Sequence, residues 1–195
     1  MHHHHHRNRP GAFAGRSSRL YDLVARRLLR GVYRRLAADV AASTPDGATV
    51  LDIGTGPGVL LTELATRRPD LTVIGVDLSA DMVAAAARNL APFSARASIE
   101  QADAAELPFP DGSVDVVVSS LSLHHWDRPR EAIGELRRVL RPGGQLRIYD
   151  FPFAPFDVIE SESWDRSLFS GHSERSRIAV RIPFLPRLVR LTLTA

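Results

Sequence analysis

Asp52 stands two residues ahead of a glycine-rich run, Gly54-Thr55-Gly56-Pro57-Gly58, and this is the strongest chemical signal in the 195 residues. Glycines there let the backbone turn tightly and let a ligand approach main-chain atoms without Cβ interference. A dinucleotide fingerprint would read Gly-x-Gly-x-x-Gly/Ala, with a pyrophosphate on the following helix N-terminus. Here the spacing is Gly-x-Gly-x-Gly, and Val59 follows. A carboxylate aimed into a pyrophosphate site would repel its ligand, whereas beside an ammonium or a sulfonium it attracts. The pattern favours a ligand with a cationic end. Asp77, ending a second apolar run, can accept both hydroxyl hydrogens of a ribose. Asp103, after a third run, is placed to accept a proton from an exocyclic amine such as that of adenine. Three acids after three successive strands, with no basic phosphate clamp among them, describe a nucleoside with an amino-acid tail.

A second cluster is Leu121-Ser122-Leu123-His124-His125-Trp126. An imidazole with an ordinary pKa of about 6.5 suits proton removal, so His124 and His125 are candidate general bases. The competing reading is that they pack and hydrogen-bond within their loop. Trp126 reads as a packing residue, and His172 as an exposed one. Asp115 and Asp127 read as capping or solvated residues. No spacing of two histidines and a carboxylate supports a metal.

These residues need strands that end where the side chains are wanted. Ala48–Ile53, Leu71–Asp77, Ala97–Gln101, Val114–Ser119 and Gln145–Asp150 read as strands. The continuous β-branched run at 114–119 suits a strand covered on both faces. Between them, Val59–Arg68, Ala80–Leu90 (capped by Ser79) and Pro129–Leu140 read as helices, the last stopped by a turn at Pro142-Gly143-Gly144. The alternation predicts an α/β fold with a mostly parallel sheet and right-handed crossovers. Upstream, apolar residues at helical spacing predict one long amphipathic helix over Leu20–Ala42. After Asp150 the pattern weakens to a helix near Asp157–Phe169 and strands near Arg177–Ile182 and Leu188–Thr194, close enough to form an antiparallel hairpin.

Composition sets outer limits. A chain of this length buries about 70% of its unfolded surface and needs no staples. Cysteine is absent, which excludes disulfides, thiolate metal sites and a cysteine nucleophile, and fits a reducing, cytoplasmic setting. All 25 basic residues are arginine, which excludes a phosphate-loop lysine, a pyridoxal Schiff base and a Tyr-x-x-x-Lys pair. Charge is segregated: +8 over residues 1–35, −10 over 36–165 and +5 over 166–195. His2–His6 read as a purification tag within residues 1–6, residues 7–43 as a mobile arm and an N-terminal helix, and residues 44–195 as one domain. No window approaches the roughly 20 apolar residues of a membrane span.

The runs VLDIGTGPG, VIGVDLS, QADAAELPFPDGSVDVVVSSLSLHHW and LRRVLRPGGQL, in that order, resemble the class I S-adenosylmethionine-dependent methyltransferases. The resemblance is nearest to the branch of ubiquinone and menaquinone biosynthesis enzymes. It implies a Rossmann-like, doubly wound sheet of seven strands, order 3-2-1-4-5-7-6, with the seventh antiparallel and an N-terminal helical lid. It implies S-adenosylmethionine as cofactor, with S-adenosylhomocysteine as product. Asp52, Gly54, Thr55, Gly56 and Gly58 would face its methionine part. Asp77 would hold the ribose, Leu78 and Met82 would flank the adenine, and Asp103 and Ala104 would contact its edge. Ser119 and Ser120 would floor the sulfonium, and Tyr21 of the lid would touch the methionine end. The expected reaction is transfer of a methyl group to a small apolar or aromatic acceptor. A nucleic-acid methyltransferase using the arginine-rich ends is the alternative, but no Asn/Asp-Pro-Pro-Tyr pocket follows the fourth strand. A non-catalytic binder, an interaction or membrane-surface module working through the basic N-terminal helix, is the third reading, and the short C-terminal hairpin leaves room for a homodimer.

Overall fold

A computed structural model describes residues 30–179 and 187–195. Tyr21, the arm and the first half of the expected lid helix lie outside the described residues, as do the 180–186 connection and the His172 side chain. The elements run α1 (Arg30–Ala42), β1 (Thr49–Ile53), α2 (Val59–Arg67), β2 (Thr72–Asp77), α3 (Ala80–Leu90), β3 (Ala97–Gln101) and β4 (Val114–Ser120). They continue with α4 (Pro129–Val139), β5 (Leu140–Asp150), α5 (Phe156–Asp165), β6 (Ser170–Ile178) and β7 (Leu188–Thr194). The sheet order is β3-β2-β1-β4-β5-β7-β6, and β7 runs antiparallel to both of its neighbours. This is the doubly wound Rossmann-like sheet that the motifs implied.

Alternation along each strand splits the core into two layers. Val50, Val116, Val118 and Tyr149 point to the layer under α1 and α2. Leu51, Ile53, Val117 and Ile148 point to the layer under α4 and α5. Because both faces are covered, the central strands are continuous apolar runs, which is what made them readable. The described half of the first helix is a core element: Val32, Leu36, Ala37 and Val40 are buried. Its Asp39 accepts a hydrogen bond from the buried Tyr149 hydroxyl at 2.8 Å and an ion pair from Arg190. Only residues before Arg30 remain as candidates for a lid.

Two expectations are corrected. The Pro142-Gly143-Gly144 turn does not separate helix from strand. It is a bulge inside β5, where the pairing jumps from Val114↔Leu140 to Val116↔Gln145. Gly143 there adopts φ +78, the left-handed region that favours glycine. The penultimate strand begins at Ser170, not Arg177, because α5 already stops at Asp165, with Ser167 at φ +50 breaking the chain direction.

Candidate functional site

The site lies at the carboxyl ends of β1, β2 and β4, where ligands of open α/β sheets bind. Gly54 leaves β1 at φ +67, and a Cβ on it would overlap the Ser122 hydroxyl. That hydroxyl donates to Ile53 O at 3.2 Å and accepts from Trp126 Nε1 at 2.9 Å, tying the histidine loop to the glycine loop. Gly54→Ala should therefore lose about 1–3 kcal/mol from backbone strain alone, read as a fall in denaturant midpoint. Adding Ser122→Gly should recover only the steric part; wild-type stability in the single variant would contradict this.

Asp52 is wholly buried, with Oδ2 accepting from Thr55 Oγ1 at 2.8 Å. Its Oδ1 is also buried but accepts no hydrogen bond. Burial pushes the carboxyl up to about 7, the Thr55 hydrogen bond offsets part of that, and Asp77 adds to it. A buried oxygen without a donor is rare and costs roughly 1–3 kcal/mol, so the group is set up for a cationic donor supplied from outside.

Asp77 ends β2 and organises backbone on both sides of itself. Gly56 N donates to Oδ2 at 2.8 Å and Ser79 N to Oδ1 at 2.9 Å. Burial raises its pKa against the opposing effect of these amides and of His125. Each oxygen keeps a second lone pair for a ligand hydroxyl. Ser79 caps α3 as expected, accepting from Met82 N at 3.5 Å. Leu78 is 64% exposed beside it, whereas Met82 is buried in the core.

Asp103 is engaged in a way the spacing did not reveal. Its Oδ1 accepts from Ala105 N at 2.8 Å and its Oδ2 from Arg128 at 2.7 Å. Burial alone would raise its pKa, but the Ala105 amide and the Arg128 guanidinium together hold it below the usual range. Ala104 lies in the same turn, half-buried. Ser119 and Ser120 are buried on β4, opposite Ile53 and Tyr149 respectively, and the Ser119 Oγ accepts and donates nothing.

The histidines are held differently from each other. His124 Nδ1 lies 2.8 Å from Asp150 Oδ1, and Asp150 also accepts from the backbone of His124 and Phe151. With the carboxylate accepting, Nδ1 carries the proton and Nε2 is the lone-pair nitrogen. His125 stacks at a tilt on His124, 4.0 Å between centroids. Burial, then the His124 ring, lowers its pKa despite the pull of Asp150 and Asp77. His125 is thus within electrostatic reach of both carboxylates, joining the Asp77 region to the His124–Asp150 pair. Phe151 and Phe153 stack on one another at 5.3 Å, and each presents itself edge-on to His124, 5.6 and 5.8 Å away. Phe153 is 73% exposed. The loop that carries all this starts at Leu121, a non-glycine residue at φ +55, the kind of strained backbone that clusters at functional sites. Asp150, Phe151, Phe153 and Arg128 were not singled out from sequence. The available signal for Asp150 was an acid ending a strand, as Asp77 does.

A methyltransferase domain model matches residues 51–148, half of the chain, and spans β1 through most of β5. The chain belongs to the methyltransferase domain family. A demethylmenaquinone methyltransferase of Thermus thermophilus is 38% identical over 138 residues, 69% of this chain and 62% of that protein. The chain thus spans less than two thirds of that relative's length. An S-adenosylmethionine-dependent methyltransferase structure from Aquifex aeolicus superposes with a TM-score of 0.70 at 19% identity, covering 91% of this chain and 96% of the other, a likeness of fold. The [4+2]-cyclase SpnF superposes with a TM-score of 0.58 at 29% identity over 68% of this chain and 58% of its own. The residues present fit the family's cofactor on one observation: the buried Asp52 Oδ1 accepts no hydrogen bond within the chain and suits a cationic donor. Among the described residues no group of three or more potential ligands could hold a metal.

Proposed function

We propose that the chain methylates a small apolar or aromatic acceptor at a hydroxyl oxygen or an activated carbon, with His124 as the base. The observation that carries the reading is the His124–Asp150 pair, set between the carboxyl-lined cofactor region and the Phe151–Phe153 wall. S-adenosylmethionine, when bound, supplies a methyl group on a sulfonium that leaves as a neutral thioether. Asp52 would hold the ammonium of its amino-acid end and Asp77 its ribose, with Leu78 beside the adenine and Asp103 and Ala104 at its edge, while the buried Met82 supports this wall from the core. Asp150 fixes the His124 tautomer and orientation, so that Nε2 can take the acceptor's proton. Phe151 and the exposed Phe153 offer an aromatic face to an aromatic acceptor. His125, whose pKa is lowered by desolvation and by the neighbouring His124 ring, lies against that ring and is the weaker candidate for the base.

Asp77→Ala removes the partner of two backbone amides as well as the ribose acceptor. Cofactor affinity should fall at least about tenfold; undiminished affinity by isothermal titration would sink the ribose assignment. The activity itself is tested by S-adenosylhomocysteine release across quinols, phenols, carboxylates and amines. Release with a phenol or quinol is expected. The likeness to a protein named as a [4+2]-cyclase favours a second reading, in which this fold serves something other than methyl transfer. Tight cofactor binding with no release on any acceptor would support that reading instead. No described helix is long and apolar enough to cross a membrane.

A further inference from the structure

A cavity of about 500 Å³ opens beyond the carboxyl end of β5, lined by Pro152, Arg175, Ser176, Arg177, Arg187 and Val189. Register places it. Asp150 of β5 pairs with Val189 of β7, and Val189 pairs with Arg177 of β6. Neighbouring strands lie about 4.8 Å apart, so the Arg177 backbone is about 10 Å from that of Asp150, whose carboxylate holds His124. Directly opposed and alternate residues share a face. Arg175, Arg177 and Val189 therefore project to the α5 side, where Arg175 pairs with Asp157 and Glu160, and Arg187, immediately before β7, lines the same cavity.

Arg175 is neutralised by those two acids. Arg177 and Arg187 are exposed, and among the described residues neither meets a carboxylate or donates a hydrogen bond to a carbonyl. Both line the same cavity, and like charges so close repel. An oxyanion between them removes the repulsion, and guanidinium forks match carboxylate and phosphate oxygens in pairs. Pro152 and Val189 give the cavity an apolar side continuous in sequence with Phe151 and Phe153.

We propose that Arg177 and Arg187 bind an oxyanion, a carboxylate or phosphoryl group, carried by the acceptor at the end remote from its methylated atom. The location of this group on the acceptor rests on the transferase reading above; the anion site itself does not. The test is isothermal titration of inorganic pyrophosphate, and separately of benzoate, into the full chain at low salt with S-adenosylhomocysteine present. At least one anion should saturate the wild type, and its affinity should fall about tenfold or more in Arg177→Gln/Arg187→Gln. Pyrophosphate binding would identify a phosphoryl group and benzoate binding a carboxylate. Affinity for S-adenosylhomocysteine should not change in the double variant, which reports an intact fold. Binding of neither anion, equal binding in the double variant, or an equal loss in the exposed control Arg88→Gln would each overturn the proposal. If S-adenosylhomocysteine itself fails to bind, the transferase reading fails while the anion titration is still readable.

Discussion

Asp52→Asn is expected to weaken S-adenosylmethionine binding at least about a hundredfold, roughly 3 kcal/mol, while making the fold more resistant to denaturant above pH 7. Both effects come from one buried carboxyl. Its folded-state pKa of about 7 lies above the ordinary 3.8, so the folded chain binds more protons than the unfolded chain between those values. The stability that depends on this proton is complete below about pH 4 and is lost as pH rises through about 7, a swing of up to roughly 4 kcal/mol. Asparagine cannot ionise, so the variant should lack that slope. Urea midpoints at pH 5 and pH 8 check this: the wild type should drop between the two and the variant should not. A variant that loses stability at pH 8 would show that Asp52 contributes to the fold as an anion rather than at its expense. On the proposed reading the ligand would compensate in the wild type, because an ammonium at Oδ1 would turn a destabilising charge into a paired one.

His124→Ala should lower kcat with a phenolic acceptor by about 10²- to 10⁴-fold, the usual contribution of a positioned base, and leave cofactor affinity unchanged. Asp150→Asn should lower kcat in the same direction. Its amide cannot accept as a carboxylate does from the His124 ring and from the backbone of His124 and Phe151. The two losses should be far from additive, because the residues act as one unit. Steady-state kinetics on both singles and the double variant separate this from a packing role. Removing two independent packing contacts would add, and would change cofactor affinity as the Ser122 link to the glycine loop loosened.

The central strands were legible because burial on both faces leaves mostly apolar residues between the glycines and acids that flank them. β6 was misplaced for the opposite reason. Ser170–Ile178 reads SGHSERSRI, a polar edge strand whose charges guard against further pairing and leave no alternating pattern to find. The first part of the candidate site, Asp52 through Asp77, stands out in the sequence because Asp52 lies at the carboxyl end of β1 two residues before the glycine run and Asp77 closes β2. Asp103 was read as a free acceptor. Its clasp by Arg128 joins residues 25 apart across a loop, and no local pattern announces such a pair. Asp150 was visible only as the end of β5. Its meaning depends on His124, which lies 26 positions earlier and reaches it only because β4 and β5 are neighbours. Long-range pairing of this kind comes from sheet order and not from spacing.

The proposed role of Asp52 is to receive the cationic end of S-adenosylmethionine at its one buried and unpartnered oxygen, Oδ1. It is tested most directly by titrating the wild-type chain with S-adenosylmethionine calorimetrically at pH 6 and pH 7.5, in buffers of differing ionisation enthalpy. An Asp52 carboxyl with a pKa of about 7 must release its proton to pair with the ligand. Binding should therefore be saturable at one site, weaken roughly tenfold from pH 7.5 to pH 6, and release close to one proton at the lower pH. No binding at millimolar ligand, or an affinity that does not change across this range with no proton released, would contradict the account.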